Sequence, residues 1–337
     1  MTTPREDILA ILNGKRTGRV PCFSGLISIT QPGLKAAGLH MHDIHHDAKK
    51  IAMAAASSYR LSGFGSAVAP FDMCVEAEAL GAEVDFGENA ERPELPRARR
   101  APYQSIAEIP PRPLRPGRLP IICDAIRLLK ADLGQEIAIG AYVPGPFTLS
   151  FFLADAGNLF EAFKRTPDEL HRVLDRFSGI IAQSARAYRD AGADFVTVHE
   201  MGGAPSVLGP ARFEAFVLPA LKSLVAAIPR PRVLAVCGKV DGLLPAITAT
   251  EADAYSLDQT SDLASARAAL GPERLLFGNV DPVGALANGS TDDVRRAAKH
   301  CVDAGVDAVW PGCDLWPLVP KENLIAMVEA VENNKSA

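Results

Sequence analysis

The chain has 337 residues, 48% hydrophobic and 22% charged, which is enough apolar surface to offset chain entropy and excludes extended disorder. Its 35 basic and 40 acidic residues leave a net charge of −5 with no basic run, which removes nucleic-acid binding as the main function. No apolar run reaches the ~20 residues that span a bilayer, so no membrane partner is expected, and Met1-Thr2-Thr3-Pro4-Arg5-Glu6-Asp7 is not a secretory signal.

In chain order, a strand is expected over 20–27 and a helix over about 43–61. The helix opens on His40-Met41-His42-Asp43-Ile44-His45-His46-Asp47, with Asp43 as cap and the histidines facing solvent. A second strand is expected over 65–69. The Pro- and Arg-rich stretch 88–120 reads as a surface excursion of the second or third unit. A strand over 137–143 ends at Pro144-Gly145-Pro146. Thr166-Pro167-Asp168-Glu169 signals a helix start with a capping box. Leu170, Val173, Leu174, Phe177, Ile181 and Tyr188 then recur at helical spacing until Gly192.

From there strands over 194–198, 232–236, 254–257, 274–277 and 307–310 alternate with helices over 210–227, 242–249, 263–270, 291–304 and 321–332. Eight strands predict an α/β fold, a single (β/α)8 TIM barrel with N-terminal elaborations spanning 1–337.

In such barrels chemistry collects where strands end. His199-Glu200, Cys237-Gly238, Asp258-Gln259, Gly278-Asn279-Val280-Asp281 and Pro311-Gly312-Cys313-Asp314 stand at those ends. Two thiols, an imidazole and several carboxylates on one rim make a donor set suited to zinc. Six cysteines in a chain this long do not make a disulfide framework, so a reducing cytoplasm is the expected compartment. Cys22, Cys74, Cys123 and Cys301 are read as structural.

Several stretches carry a family likeness: Ile8 through Lys15, Arg19-Val20-Pro21, Val75 through Asp85, Gly145 through Leu149, Leu208-Gly209-Pro210, Gly278 through Pro282, and Ala308 through Cys313. By their order and spacing the chain resembles the uroporphyrinogen decarboxylase superfamily, and within it the corrinoid-dependent methyltransferase branch that includes methylcobalamin:coenzyme M methyltransferases. The resemblance implies a TIM barrel and a transferase. Such an enzyme moves a methyl group between a methylated corrinoid (cobalamin), carried on a separate protein, and a small acceptor or donor such as a thiol or tetrahydrofolate.

Decarboxylases of the superfamily hold porphyrin carboxylates with N-terminal arginines. Here Pro21-Cys22-Phe23-Ser24-Gly25-Leu26 carries none, so that alternative is the poorer one. The methyltransferases bind zinc through a His-x-Cys motif, a distant cysteine and an acidic residue. By resemblance Cys237, Cys313 and Asp258 fill the metal positions, but Ala235 stands where the histidine belongs.

His199 is an extra imidazole on the same rim. It is assigned to substrate or corrinoid binding with Glu76 and Asn279, and is also available as a replacement ligand. With the motif histidine gone, a non-thiol acceptor or the reverse, demethylating direction gains weight, and Glu200 and Asp281 become the acid–base candidates. A non-catalytic binding paralogue is the competing class. The oligomeric state is not fixed by the sequence, a homodimer being compatible with it.

Overall fold

The structure is a computed structural model that describes residues 2–15, 18–88 and 94–333. Its strands are β1 (Ser66–Ala69), β2 (Val84–Asp85), β3 (Arg97–Ala98), β4 (Ala138–Pro144), β5 (Phe195–Glu200), β6 (Arg232–Val236), β7 (Ala254–Leu257) and β8 (Leu275–Phe277). Six of them form one parallel sheet in the order β1-β4-β5-β6-β7-β8, while β2 and β3 pair as a small antiparallel ribbon outside it.

The remaining two ring positions are taken by the segments expected as strands over 20–27 and 307–310. They pair through isolated bridges, Phe277 with Ala308, Val280 with Pro311 and Cys22 with Val309, instead of through regular ladders. The Gly65 N–H donates to the Cys22 carbonyl and closes the ring onto β1. Prolines explain the irregularity, since Pro21 and Pro311 have no N–H to give a ladder. The Ser66 hydroxyl substitutes for backbone there, accepting from the Ser24 N–H at 3.0 Å and donating to the Ser24 carbonyl at 2.7 Å.

Strand parity divides the ring into an inside and an outside. Gly140 lies against the Phe195 ring, so Gly140 and Tyr142 of β4 share the interior with Phe195, Thr197 and His199 of β5. Phe23, Phe195, Phe277 and Trp310 form a floor of edge-on and tilted rings with centroids 5.0–5.9 Å apart. Gly25 is required beside it: a Cβ would stand 2.0 Å from Thr197 Oγ1 and 2.7 Å from the Trp310 ring.

Helices follow the expected pattern with local corrections. The long helix runs Pro167–Asp190, but Thr166 makes no side-chain cap. Thr166 also terminates the helix Ala156–Arg165, giving its N–H to the Ala162 carbonyl, so its backbone serves two helices. The expected helix 210–227 contains a π turn at Phe213–Val217 just before Pro219, which has no N–H to donate.

The helix expected from Asp43 begins at Ala48, capped by Asp47, whose carboxylate accepts from the Lys49 and Lys50 N–H groups. Within that histidine cluster His45 does not face solvent; it is buried against Phe71 and Phe86.

The excursion 88–120, whose residues 89–93 lie outside the described ones, is fastened to the barrel. Tyr103 exchanges backbone hydrogen bonds with Leu153 and Asp155, and its hydroxyl donates to the Leu80 carbonyl. Arg118, at its end, is buried. It donates to both Asp72 oxygens at 2.9 Å and to Glu78 at 2.7 Å, beneath the Phe86 ring.

Candidate metal centre

Three potential ligands meet inside the mouth of the barrel. His199 is the fifth residue of β5 and points inward by parity; Cys237 follows β6, and Cys313 follows the ring segment at 308–311. The His199 imidazole and the two thiols lie within 4.8 Å of one another. His199 Nε2 is 2.9 Å from Cys237 Sγ, and the two sulfurs are 3.7 Å apart.

The imidazole of this group lies beside the position of the absent motif histidine. In the β5–β6 ladder His199 is paired in register with Ala235. The imidazole stands one strand away from the position the resemblance assigns it, and the small Ala235 side chain leaves it room.

The other face of the His199 ring is organised too. Its Nδ1 lies 2.8 Å from the Tyr142 hydroxyl, which donates to Asp314 Oδ2 at 3.0 Å. Asp314 Oδ1 accepts the Ile27 N–H at 2.9 Å. Tyr142 and His199 are almost fully buried.

Burial opposes charge on His199, but the hydrogen bond and charge of Cys313, with Asp314 and Glu200, lift its pKa to about 9. Contact with Cys237 holds the Cys313 thiol well below its ordinary range, against burial and with help from His199. Burial raises Asp314 to about 6. One sulfur thus favours its thiolate form, which is the form that binds a soft cation. One imidazole nitrogen and two sulfurs are a donor set of the kind that would hold zinc.

The remaining expected site residues have other hydrogen-bond partners. Asp258 is not part of the three-ligand group. One of its oxygens accepts from the Gly238 N–H at 2.9 Å and the other from Thr260 N–H and Oγ1 at 2.8 and 2.7 Å, so it braces the loop that carries Cys237. Asn279 is engaged by loop backbone, its amide donating to the Asp258 and Ser261 carbonyls at 3.0 Å. Asp281 caps the turn Pro282–Ala287 through the Val283 and Gly284 N–H groups.

Glu200 follows His199 and therefore points out of the barrel. It accepts from Phe147 N–H, Thr148 N–H, Thr148 Oγ1 and Gly203 N–H, at the N-terminus of the helix Pro146–Leu153. Burial raises its pKa although those donors resist. Gly145 is needed here, because a Cβ would stand 2.2 Å from the Glu200 carboxylate.

Glu76 is buried in the side wall near Ser184 and Tyr188, raised by burial to about 7. Cys22, Cys74, Cys123 and Cys301 are buried. Sequence reasoning missed Tyr142 and gave Asp314 no role. Tyr142 is the one hydroxyl-bearing side chain in the run 137–143, and that was the available signal.

Comparison with known proteins agrees with this architecture. The chain is 30% identical to a methylcobamide:CoM methyltransferase, MtbA, of Methanosarcina acetivorans, over 99% of this chain and 98% of that protein. It is 26% identical to the methylcobamide:CoM methyltransferase MtaA of Methanosarcina barkeri across 97% of both. The structure of a methyltransferase from Methanosarcina mazei superposes with a TM-score of 0.92 at 24% identity, covering 99% of each chain. The family model for uroporphyrinogen decarboxylase (URO-D) matches residues 3–334, and the chain belongs to that family.

Proposed function

We propose that this protein transfers a methyl group from a methylated corrinoid, presented by a separate carrier protein, to a thiol, with zinc held by His199, Cys237 and Cys313. The observation that carries this reading is the convergence of those three side chains despite Ala235. The similarity to methylcobamide:CoM methyltransferases over nearly the whole chain supports it.

A bound zinc ion would supply the Lewis acidity that converts an incoming thiol, of pKa ~8.5 in water, into a nucleophilic thiolate at neutral pH. The chain's own groups do the rest. Around the ion Cys237 and Cys313 would provide anionic sulfur, His199 a nitrogen lone pair once the cation displaces its proton, and the aromatic floor shuts the barrel below them. The substrate sulfur then takes the methyl carbon, and the carbon–cobalt electron pair stays with cobalt.

A tetrahydrofolate acceptor would need a proton donor at the reacting nitrogen. Glu200 and Asp281, the residues expected to supply one, accept hydrogen bonds from backbone N–H groups. Porphyrin decarboxylation lacks support as well, because 21–26 carries no arginine.

The test combines metal analysis with turnover. The protein is expected to hold about one zinc per chain. Cys237→Ala and Cys313→Ala should each lose the metal, with methyl transfer from methylcobalamin to a thiol slowed by at least ~10²-fold, the scale set by loss of a ligand that activates the nucleophile. Full zinc content and undiminished turnover in Cys237→Ala would defeat the reading. So would metal-independent methylation of tetrahydrofolate.

A further inference from the structure

We propose that Tyr142 and Asp314 form a relay that fixes the tautomer and ring orientation of His199, so that Nε2 is always the nitrogen offered to the metal. This rests on the metal-binding reading above and adds two positioning residues to it.

With Asp314 ionised and His199 neutral, as they would be around a bound cation, the contacts are satisfied by one assignment of protons. Asp314 is acceptor-only when ionised, and its Oδ1 is already occupied by the Ile27 N–H. The Tyr142 hydroxyl has a single proton, which goes to Asp314 Oδ2 at 3.0 Å. Its oxygen therefore meets His199 Nδ1, 2.8 Å away, as an acceptor, and Nδ1 must carry hydrogen. In the neutral imidazole the lone pair is then on Nε2, the atom beside Cys237 Sγ. Asp314 itself is 3.8 Å from Nδ1, beyond direct hydrogen bonding, so the tyrosine is the link.

The arrangement follows from the displaced histidine. An imidazole rooted on β5 faces Tyr142 of β4, the neighbouring strand, with which it shares the barrel interior. Asp314 is adjacent to Cys313, so the loop that provides one sulfur also anchors the group that aims the nitrogen. Placement of Cys313 and orientation of His199 are consequently coupled. Partners of metal-ligating histidines typically contribute 10–100-fold in metal affinity.

The experiment measures zinc affinity by competition with a chromogenic chelator, and the absorption spectrum of the cobalt(II)-substituted protein. Tyr142→Phe keeps the ring and removes only the hydroxyl. It is expected to weaken zinc binding ~10–100-fold and to shift the cobalt(II) bands, with circular dichroism unchanged. Asp314→Asn is expected to weaken binding less. The double variant should bind about as well as Tyr142→Phe alone, because both act through one chain of contacts.

Affinity within twofold of wild type and an unchanged cobalt spectrum in Tyr142→Phe, while His199→Ala loses the metal, would overturn the relay and leave the metal site standing. Should Tyr142→Phe fail to fold, Asp314→Asn with wild-type affinity would overturn it equally. A wild-type protein that binds no zinc would overturn both.

Discussion

An imidazole can move from one strand to its neighbour at little cost when the two positions are in register. Adjacent strands lie ~4.8 Å apart, so a ring rooted at 199 or at 235 can reach the same point inside the barrel. Two imidazoles would compete for that space, and Ala235 removes the conflict. His199→Ala should therefore abolish zinc binding, and adding Ala235→His to it should restore binding. Recovery is expected to stop roughly 10–100-fold short of wild type, since a ring on β6 leaves Tyr142 behind. Competition titrations decide it, and a double variant no better than His199→Ala would contradict the register argument.

The two sulfurs were legible as thiols at matching strand ends. The carboxylates on the same rim have backbone partners that spacing in the sequence does not reveal. Asp258 and Asp281 each find backbone N–H groups two or three residues onward, which is how aspartates ordinarily act after strands. Parity alone separates Glu200 from His199: once one faces inward, its neighbour faces out. Tyr142 was hidden because a continuous apolar run does not reveal which side faces the axis until its partners are known.

Among the elements, the loop after β1 shows how a long excursion is tied down. Asp72 and Arg118 meet in the interior, where charges persist only if paired, with the half-buried Glu78 beside them. Arg118→Ala would leave Asp72 buried without its partner and is expected to cost about 3–5 kcal/mol in chemical denaturation. The sign of the pH dependence follows. Burial pushes the Asp72 carboxyl up, but Arg118 overrides it and holds it below the ordinary carboxylate range. In the wild type this contribution is present above the unfolded carboxylate pKa and is lost as pH falls through the depressed folded value. In Arg118→Ala burial dominates, the carboxyl rises, and the variant's stability deficit should grow as pH increases toward neutrality. A deficit independent of pH would show that the ion pair is not its source.

Helix positions in the second half were readable because apolar spacing, proline and glycine agree there, as in Lys321–Glu332. The departures mark places where one residue serves two masters. Thr166 joins two helices, and Pro219 imposes a wider turn on the backbone before it.

For the molecule as a whole, eight ring positions were visible as alternating segments, while the proline-broken pairings at 21 and 311 were not. The three donors that would hold zinc hang on a closed hydrogen-bonded ring with a large core of its own, unlike small domains that fold only around their metal. Chelation is accordingly expected to abolish turnover and leave far-UV circular dichroism unchanged. Tm should fall only by the modest amount that loss of a bound ligand accounts for. Collapse of the secondary structure on chelation would make the ion a folding element instead.

The bond from the Ile27 amide to Asp314 joins residues 287 positions apart. It ties the first segment of the ring to the last. During synthesis, the second sulfur and the aspartate that anchors the histidine's partner are not both present until the chain has grown 287 positions beyond Ile27. A growing chain thus presents His199 and Cys237 without their third partner, and a three-donor group can assemble only after Cys313 and Asp314 have emerged.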